Sequence, residues 1–134
     1  MMGARGSEAE VAAIRQLIDG YGDAVFQRDA AEWGACWAED ARWSISGQIV
    51  EGRDQIVALW KTAMAGFPFV AFFAQAGLIE VEGERAYGRV YTHELLENSD
   101  GTIDRPIGRY DDEYRKVDGA WRFAARTYTL LYRG

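Results

Sequence analysis

Residues 109–131, RYDDEYRKVDGAWRFAARTYTLL, decide the fold class of this chain. Polar and apolar residues alternate along most of the stretch, which is the two-residue period of a β-strand with one covered face. Asp118-Gly119 interrupts the alternation, and this pair is typical of a tight turn between antiparallel strands. The stretch therefore predicts a long β-hairpin.

Similar alternation precedes this hairpin at residues 70–82 and 85–97, and two short apolar segments flank the turn signal Ser46-Gly47. The N-terminal half has helical spacing instead. Ser7 and Glu10 form a capping-box pattern ahead of apolar residues that recur every three or four positions, namely Val11, Ile14, Leu17, Ile18, Tyr21 and Val25.

Two shorter helices follow in the predicted order of elements. Asp29 is a capping residue for a helix that carries Ala30, Trp33, Cys36 and Trp37 on one side, and a third helix runs from Gly52 to shortly before Pro68. Helices followed by long strands predict an α+β fold, in which the N-terminal helices pack into a strongly curved, mostly antiparallel sheet.

Length, charge and cysteine content narrow the class of protein. The 134 residues suit one domain, 1–134, in which we expect residues 1–7 to be a loose tail. A net charge of −6 without a basic cluster argues against nucleic acid or an anionic membrane as partner. Cys36 is the only cysteine, so we expect a reducing, cytoplasmic location. No apolar run approaches the roughly 18 residues that span a bilayer.

The two faces of the strand at residues 85–97 differ in character. One carries small and apolar residues together with Glu94, and we expect it to face the helices. The other carries Tyr87, Arg89, Tyr91 and His93, which are residue types suited to a homodimer interface. A solvated sheet face is the alternative.

Two sequence segments resemble a known family: EDARWSISG at residues 39–47 and YDDEYRKVDGAWRF at residues 110–123. With the order of elements, they resemble the SnoaL-like branch of the nuclear-transport-factor-2/ketosteroid-isomerase superfamily over nearly the whole chain. Within that branch the nearest likeness is to the lindane dehydrochlorinase and scytalone dehydratase relatives. The resemblance implies a cone-shaped half-barrel that holds a small organic molecule and uses no cofactor.

The same resemblance implies an Asp–His dyad, and here the matching positions are Phe26 and Phe72, or Phe73 if the alignment shifts by one residue. Phenylalanine accepts no proton, so these side chains do not carry over the elimination chemistry of the relatives. The arginine of the dehydrochlorinase type is matched by Arg126.

Glu94 is the leading candidate for acid/base catalysis, because it has the inward parity of its strand and the resemblance places it in the pocket. A buried carboxylate needs a partner, and Arg126 is the nearest candidate, either as part of the catalytic site or as a structural brace. Tyr21 is the third catalytic candidate, and Asp112 shares the inward parity and is a further possible contact of Arg126. The predicted substrate-binding residues are Phe26, Trp43, Phe72, Leu96, Tyr110 and Tyr128.

These observations predict a cofactor-independent lyase, isomerase or hydrolase acting on a small, mostly apolar, ring-containing metabolite. Two alternatives stay open: a non-catalytic binder of a small organic ligand, and a purely structural dimerisation module. One histidine and one cysteine supply no recognisable metal-ligand set, so we expect no metal. No nucleotide-binding, α/β-hydrolase or zinc-protease motif occurs in the sequence.

Overall fold

The structure is a computed structural model and describes residues 4–134. In this part of the chain the helices are α1 (Glu8–Gln27), α2 (Ala30–Ala35) and α3 (Arg53–Ala65). The strands are β1 (Ala4–Arg5), β2 (Trp37–Ile45), β3 (Gln48–Glu51), β4 (Phe69–Glu82), β5 (Arg85–Glu97), β6 (Ile103–Asp104), β7 (Pro106–Val117) and β8 (Ala120–Arg133).

The strands form one mixed sheet in the order β1-β4-β5-β7-β8-β2-β3, with β6 paired to β5, and the sheet is not closed into a barrel. The long neighbours β4, β5, β7 and β8 are antiparallel, whereas β2 runs parallel to β8 and β1 runs parallel to β4. Helix α1 packs against β4 and β8, and α3 packs against β2. The predicted α+β fold with N-terminal helices on a mostly antiparallel sheet is confirmed.

Local signals in the sequence explain where these elements begin and turn. The Ser7 side chain accepts a hydrogen bond from the Glu10 amide at 3.2 Å and caps α1, and Asp29 caps α2 in the same way through the Glu32 amide. Between β7 and β8 both Asp118 and Gly119 have positive φ, 51° and 81°. A two-residue hairpin turn with two positive φ values matches the twist of the flanking strands.

Two expectations about element boundaries are wrong. Trp37 is not the end of the second helix, because α2 ends at Ala35 and Trp37 opens β2, where it pairs with Phe123 of β8. The loose tail does not extend to Ala4–Arg5, which form a short strand against the edge of β4. Residues 1–3 of that predicted tail lie outside the described part.

The core lies between the helices and the inner face of the sheet. Trp33, Trp37 and Phe123 are fully buried there, and Trp33 stacks on Trp60 of α3 with 4.5 Å between ring centroids. No helix within residues 4–134 is both long enough and apolar enough to cross a membrane.

The two faces of β5 are arranged as the alternation predicts. Ala86, Val90 and Thr92 are buried on the helix side, while Tyr87 and Tyr91 on the other side are 45% and 41% exposed. The sheet therefore presents its Tyr- and Arg-bearing face outward in the single chain.

Candidate functional site

A cavity of about 560 Å³ lies between the helices and the sheet. Its volume falls within the range of cavities that hold small organic molecules. Apolar side chains from α1, α3 and β4 make much of its wall, among them Val25, Trp60, Met64 and Val70. The turn residues Ser46 and Gly47 lie at its edge, so the β2–β3 hairpin also contributes to it.

Most of the predicted site residues line this cavity. They come from six different elements and are Tyr21, Trp43, Phe72, Glu94, Leu96, Tyr110 and Tyr128. Their meeting in one place follows from the inward parity of β5, β7 and β8 and from the buried face of α1. Their contact with a substrate stays a prediction.

Glu94 is the carboxylate of the cavity wall. It lies on β5 opposite Phe72 of β4, and within residues 4–134 no side chain forms an ion pair or hydrogen bond with it. Glu94 is partly exposed because it faces the cavity. Protein nevertheless surrounds its carboxyl group, and the resulting desolvation raises the pKa of Glu94 to about 7. A carboxyl group with such a pKa exchanges protons readily at neutral pH.

Tyrosine hydroxyls supply further polar groups of the cavity wall. The Trp43 Nε1–H donates to the Tyr110 hydroxyl oxygen at 3.0 Å, which leaves the Tyr110 proton available to another acceptor. Burial raises the pKa of Tyr21 to about 12, although the nearby Arg126 charge opposes the rise, and burial also places the pKa of Tyr110 well above its ordinary value. Both phenols therefore stay protonated and can donate hydrogen bonds at neutral pH.

The predicted pair of Glu94 with Arg126 is wrong, because Arg126 binds Asp112 instead. Nε and Nη2 of Arg126 donate to the two carboxylate oxygens of Asp112 at 2.7 and 3.0 Å, and the Tyr114 hydroxyl donates to Asp112 at 2.8 Å. Asp112 lies directly opposite Arg126 across the β7–β8 pair.

Glu94 and Asp112 lie at different heights along the strand direction of the sheet, which explains why the predicted Glu94–Arg126 pair does not form. On its other side Asp112 is opposite Gly88 of β5, six residues before Glu94 in the same strand. At the rise of a strand this separates the backbone positions of Gly88 and Glu94 along β5 by about 20 Å. Alternation in the sequence predicted the correct face for Glu94 but carried no information about its level.

Arg126 also does not line the cavity, since its side chain is buried behind two of the lining tyrosines. Its guanidinium carbon lies 3.8 Å from the ring centroid of Tyr110, 4.1 Å from that of Phe123 and 4.6 Å from that of Tyr21. Burial alone would lower the pKa of Arg126, but the Asp112 charge raises it above its usual range. The arginine is thus a buried cation that supports the tyrosine wall, which differs from the predicted catalytic position.

Phe26 is likewise absent from the cavity wall. It is 39% exposed and packs edge-on against Phe73 with 5.4 Å between centroids. Its neighbour Val25 faces the cavity, and one residue along an α-helix turns the side chain by about 100°. Of the two positions matched to the dyad of the relatives, only Phe72 contributes to the wall.

Sequence reasoning missed three lining residues that matter for the chemistry. Trp60 and Met64 lie on α3 and were not predicted to line the cavity, although their helical spacing indicates a buried face. Arg133 of β8 lines the cavity as well, and no periodicity in the sequence indicates that placement. Within residues 4–134 no group of three His, Cys, Asp or Glu side chains is arranged to hold a metal ion.

The chain is similar to a known protein family in sequence and to solved structures in fold. A family model described as a SnoaL-like domain matches residues 8–127. No curated protein sequence gives a significant match.

Three solved structures illustrate the likeness. A putative aromatic ring hydroxylase from Novosphingobium aromaticivorans is 22% identical, with a TM-score of 0.89 over 97% of this chain and 95% of that one. A putative scytalone dehydratase from the same species is 21% identical, with a TM-score of 0.87 over 94% and 87%. A hexachlorocyclohexane dehydrochlorinase from Novosphingobium barchaimii is 20% identical, with a TM-score of 0.84 over 94% and 89%. At these identities the likeness establishes the fold.

Proposed function

Because the chain belongs to the SnoaL-like domain family, we propose that it is a cofactor-independent enzyme of the lyase or isomerase type. Its substrate is a small, mostly apolar, ring-containing metabolite bound in the cavity. The observation that carries this proposal is Glu94, a carboxyl group on the wall of an aromatic cavity, without an ion-pair partner among residues 4–134 and with a pKa raised to about 7. Buried, perturbed carboxyl groups in cavities are frequent acid/base catalysts.

The proposed reaction begins with transfer of a proton from a substrate carbon to the Glu94 carboxylate. The electron pair left on that carbon delocalises into an adjacent carbonyl, whose oxygen accepts hydrogen bonds from the Tyr21 and Tyr110 hydroxyls. In an isomerase Glu94 returns the proton to a different carbon. In a lyase the electron pair forms a double bond and expels a leaving group from the neighbouring carbon.

Arg126 has a positioning role in this proposal. Its charge is compensated by Asp112, and its guanidinium lies against the rings of Tyr110 and Tyr21. Held in this way, the two phenols keep their orientation toward the cavity without reorganisation during the reaction. Trp43, Phe72, Leu96 and Tyr128 are the proposed walls for the ring of the substrate.

The test is turnover by the parent and by Glu94→Gln on small cyclic ketones, halides and hydroxylated aromatics. Loss of the acid/base should reduce turnover by roughly 10²- to 10⁴-fold while the fold is retained. Glu113→Gln, an exposed change on β7, is the control and should keep parental activity. Turnover that survives in Glu94→Gln would contradict the mechanism.

A non-catalytic ligand binder is the second candidate. The observation in its favour is Phe72, an apolar ring at the position matched to the family histidine, on the cavity wall. A cavity that binds the test compounds without converting any of them would favour this candidate over the enzyme.

We also propose that the chain forms a homodimer through the outer face of the sheet, defined by Tyr87, Arg89, Tyr91 and His93 of β5. Both tyrosines are more than 40% exposed in the single chain, and Phe73 of β4, 61% exposed, adjoins His93 in register. Tyrosine and arginine are enriched in protein interfaces. The proposed compartment is the cytoplasm, on the basis of the single cysteine.

A further inference from the structure

Arg133 reaches the cavity because of an irregularity in β8. From Arg126 to Leu130 the even-numbered residues of β8 face inward, and Tyr128 and Leu130 line the cavity. The register then shifts, since Gly108 pairs with Leu130 while Ile107 pairs with Tyr132, so Leu131 is an extra residue. This bulge turns Tyr132 outward, where it is 61% exposed, and places Arg133 on the cavity side opposite Pro106.

The backbone holds Arg133 in this place. The Arg105 amide donates to the Gly134 carbonyl at 3.1 Å, and the Gly134 amide donates to the Arg105 carbonyl at 3.3 Å. Bulges beside binding sites commonly re-aim a side chain. Here the re-aimed side chain is a cation.

Arg133 is an exposed residue, so solvent reaches its guanidinium where it borders the cavity. No carboxylate within residues 4–134 lies within the 4.0 Å of an ion pair with it. Among the described residues that line the cavity, Glu94 and Arg133 are the two whose side chains carry a formal charge when ionised at neutral pH. The rest of the cavity wall is largely aromatic and aliphatic, with residues from both the helices and the strands.

We infer that the cavity takes a ring compound that bears a carboxylate, with Arg133 binding the carboxylate and the aromatic wall enclosing the ring. This inference rests on the proposed function and narrows its substrate class. A guanidinium fork matches a carboxylate in two-point geometry. A dianion such as a phosphate ester would exceed the single positive charge and bring its excess charge into a cavity that already contains Glu94.

The protonation of Glu94 should be linked to such binding. An anion in the same cavity favours the neutral form of a carboxyl group, so the ligand should bind more weakly as pH rises through about 7. The other titratable groups that face the cavity are Tyr21, Tyr110 and Tyr128, whose pKa values are all raised, and they stay neutral over this interval. Arg126, behind the tyrosines, is already paired with Asp112.

The experiment measures binding of 2-naphthoate and of its neutral analogue 2-naphthamide to the full chain by isothermal titration calorimetry at pH 6. The parent should bind naphthoate about tenfold more tightly than naphthamide. Arg133→Gln should remove this preference and leave naphthamide binding unchanged, whereas Arg133→Lys should retain part of it. Arg15→Gln, an exposed change on α1, is the matched control and should behave like the parent.

A repeat at pH 8.5 tests the linkage to Glu94. The parent should lose naphthoate affinity between pH 6 and 8.5, and Glu94→Gln should lose much less. Equal binding of the two compounds, or a preference that survives in Arg133→Gln, would overturn the inference while leaving the proposed ring-binding cavity standing. Binding of neither compound would overturn both.

Discussion

Arg126 and Asp112 form a doubly hydrogen-bonded ion pair that is sealed inside the protein. Both side chains are almost fully buried, at 1% and 0% exposure, and the bonds measure 2.7 and 3.0 Å. An isolated charge at this depth would be very costly, so each member depends on the other. The pair is the electrostatic support for the cavity tyrosines.

Asp112→Asn should therefore be strongly destabilising. It leaves the Arg126 charge buried without its counterion, at a cost of about 3 to 5 kcal/mol in the free energy of unfolding. Urea denaturation measures this cost. The adjacent Asp111→Asn, which breaks an exposed pair with Arg109, should stay within about 1 kcal/mol of the parent. Equal stability of the two variants would contradict the buried-pair interpretation.

Glu94 should make the stability depend on pH. Its pKa is raised from 4.5 to about 7 by burial, so the folded state binds its proton more tightly than the unfolded state does. This stabilising contribution is fully present below pH 4.5 and is lost as pH rises through about 7.

Glu94→Gln tests that linkage because it removes the titrating group and keeps the shape. The parent should lose more stability than the variant between pH 5 and 8.5, as measured by denaturant unfolding at both values. Parallel pH profiles would show that Glu94 has an ordinary pKa and would weaken its assignment as the acid/base.

Gly108 makes room for Tyr128. A Cβ at Gly108 would collide with the Tyr128 ring, so Gly108→Ala should displace the ring, cost about 1 to 3 kcal/mol and alter the cavity wall. Gly20→Ala is the control, because that position on α1 has open space and alanine should stabilise the helix by up to about 1 kcal/mol. Thermal melting of both variants distinguishes these effects. A Gly108→Ala variant as stable as the parent would contradict the close approach.

Phe72 and Phe26 should differ in their sensitivity to substitution. Phe72 is buried in the cavity wall at 6% exposure, and Phe72→His should lower the melting temperature clearly, since an apolar ring is replaced by a polar one. Phe26→Asp changes a half-exposed ring and should cost less.

The double variant Phe26→Asp with Phe72→His tests the positions of these two residues relative to the cavity. It should not acquire the dyad of the relatives, because only position 72 faces the cavity. Elimination activity gained by the double variant over both single variants would contradict this placement of Phe26.

The proposed dimer is tested at Tyr91. Tyr91→Glu would bury an unpaired charge between subunits, so sedimentation velocity should show a shift toward monomer. Ile49→Glu, at a 64% exposed position on β3, should leave the parental state unchanged. A parent that sediments as a monomer at high micromolar concentration would refute the proposed interface.

Much of the fold could be predicted because its signals are local. The alternation on β5 identified its inward face, the Asp118-Gly119 turn located the last hairpin, and Ser7 marked the start of α1. The candidate site was only partly predictable for a different reason. Parity and the family resemblance together assigned Tyr110, Tyr128 and Glu94 to the cavity side, but parity does not say which residues on that side lie at the same height along their strands.

By itself, the sequence determined the class of fold, the family, and the inward face of β5. These depend on period, caps and turns, which are properties of neighbouring residues. The tertiary structure alone decided that Asp112 rather than Glu94 neutralises Arg126, because strand register sets which side chains are opposite one another. It also decided that Arg133 borders the cavity, because one bulged residue reverses the parity of the residues that follow it in the strand.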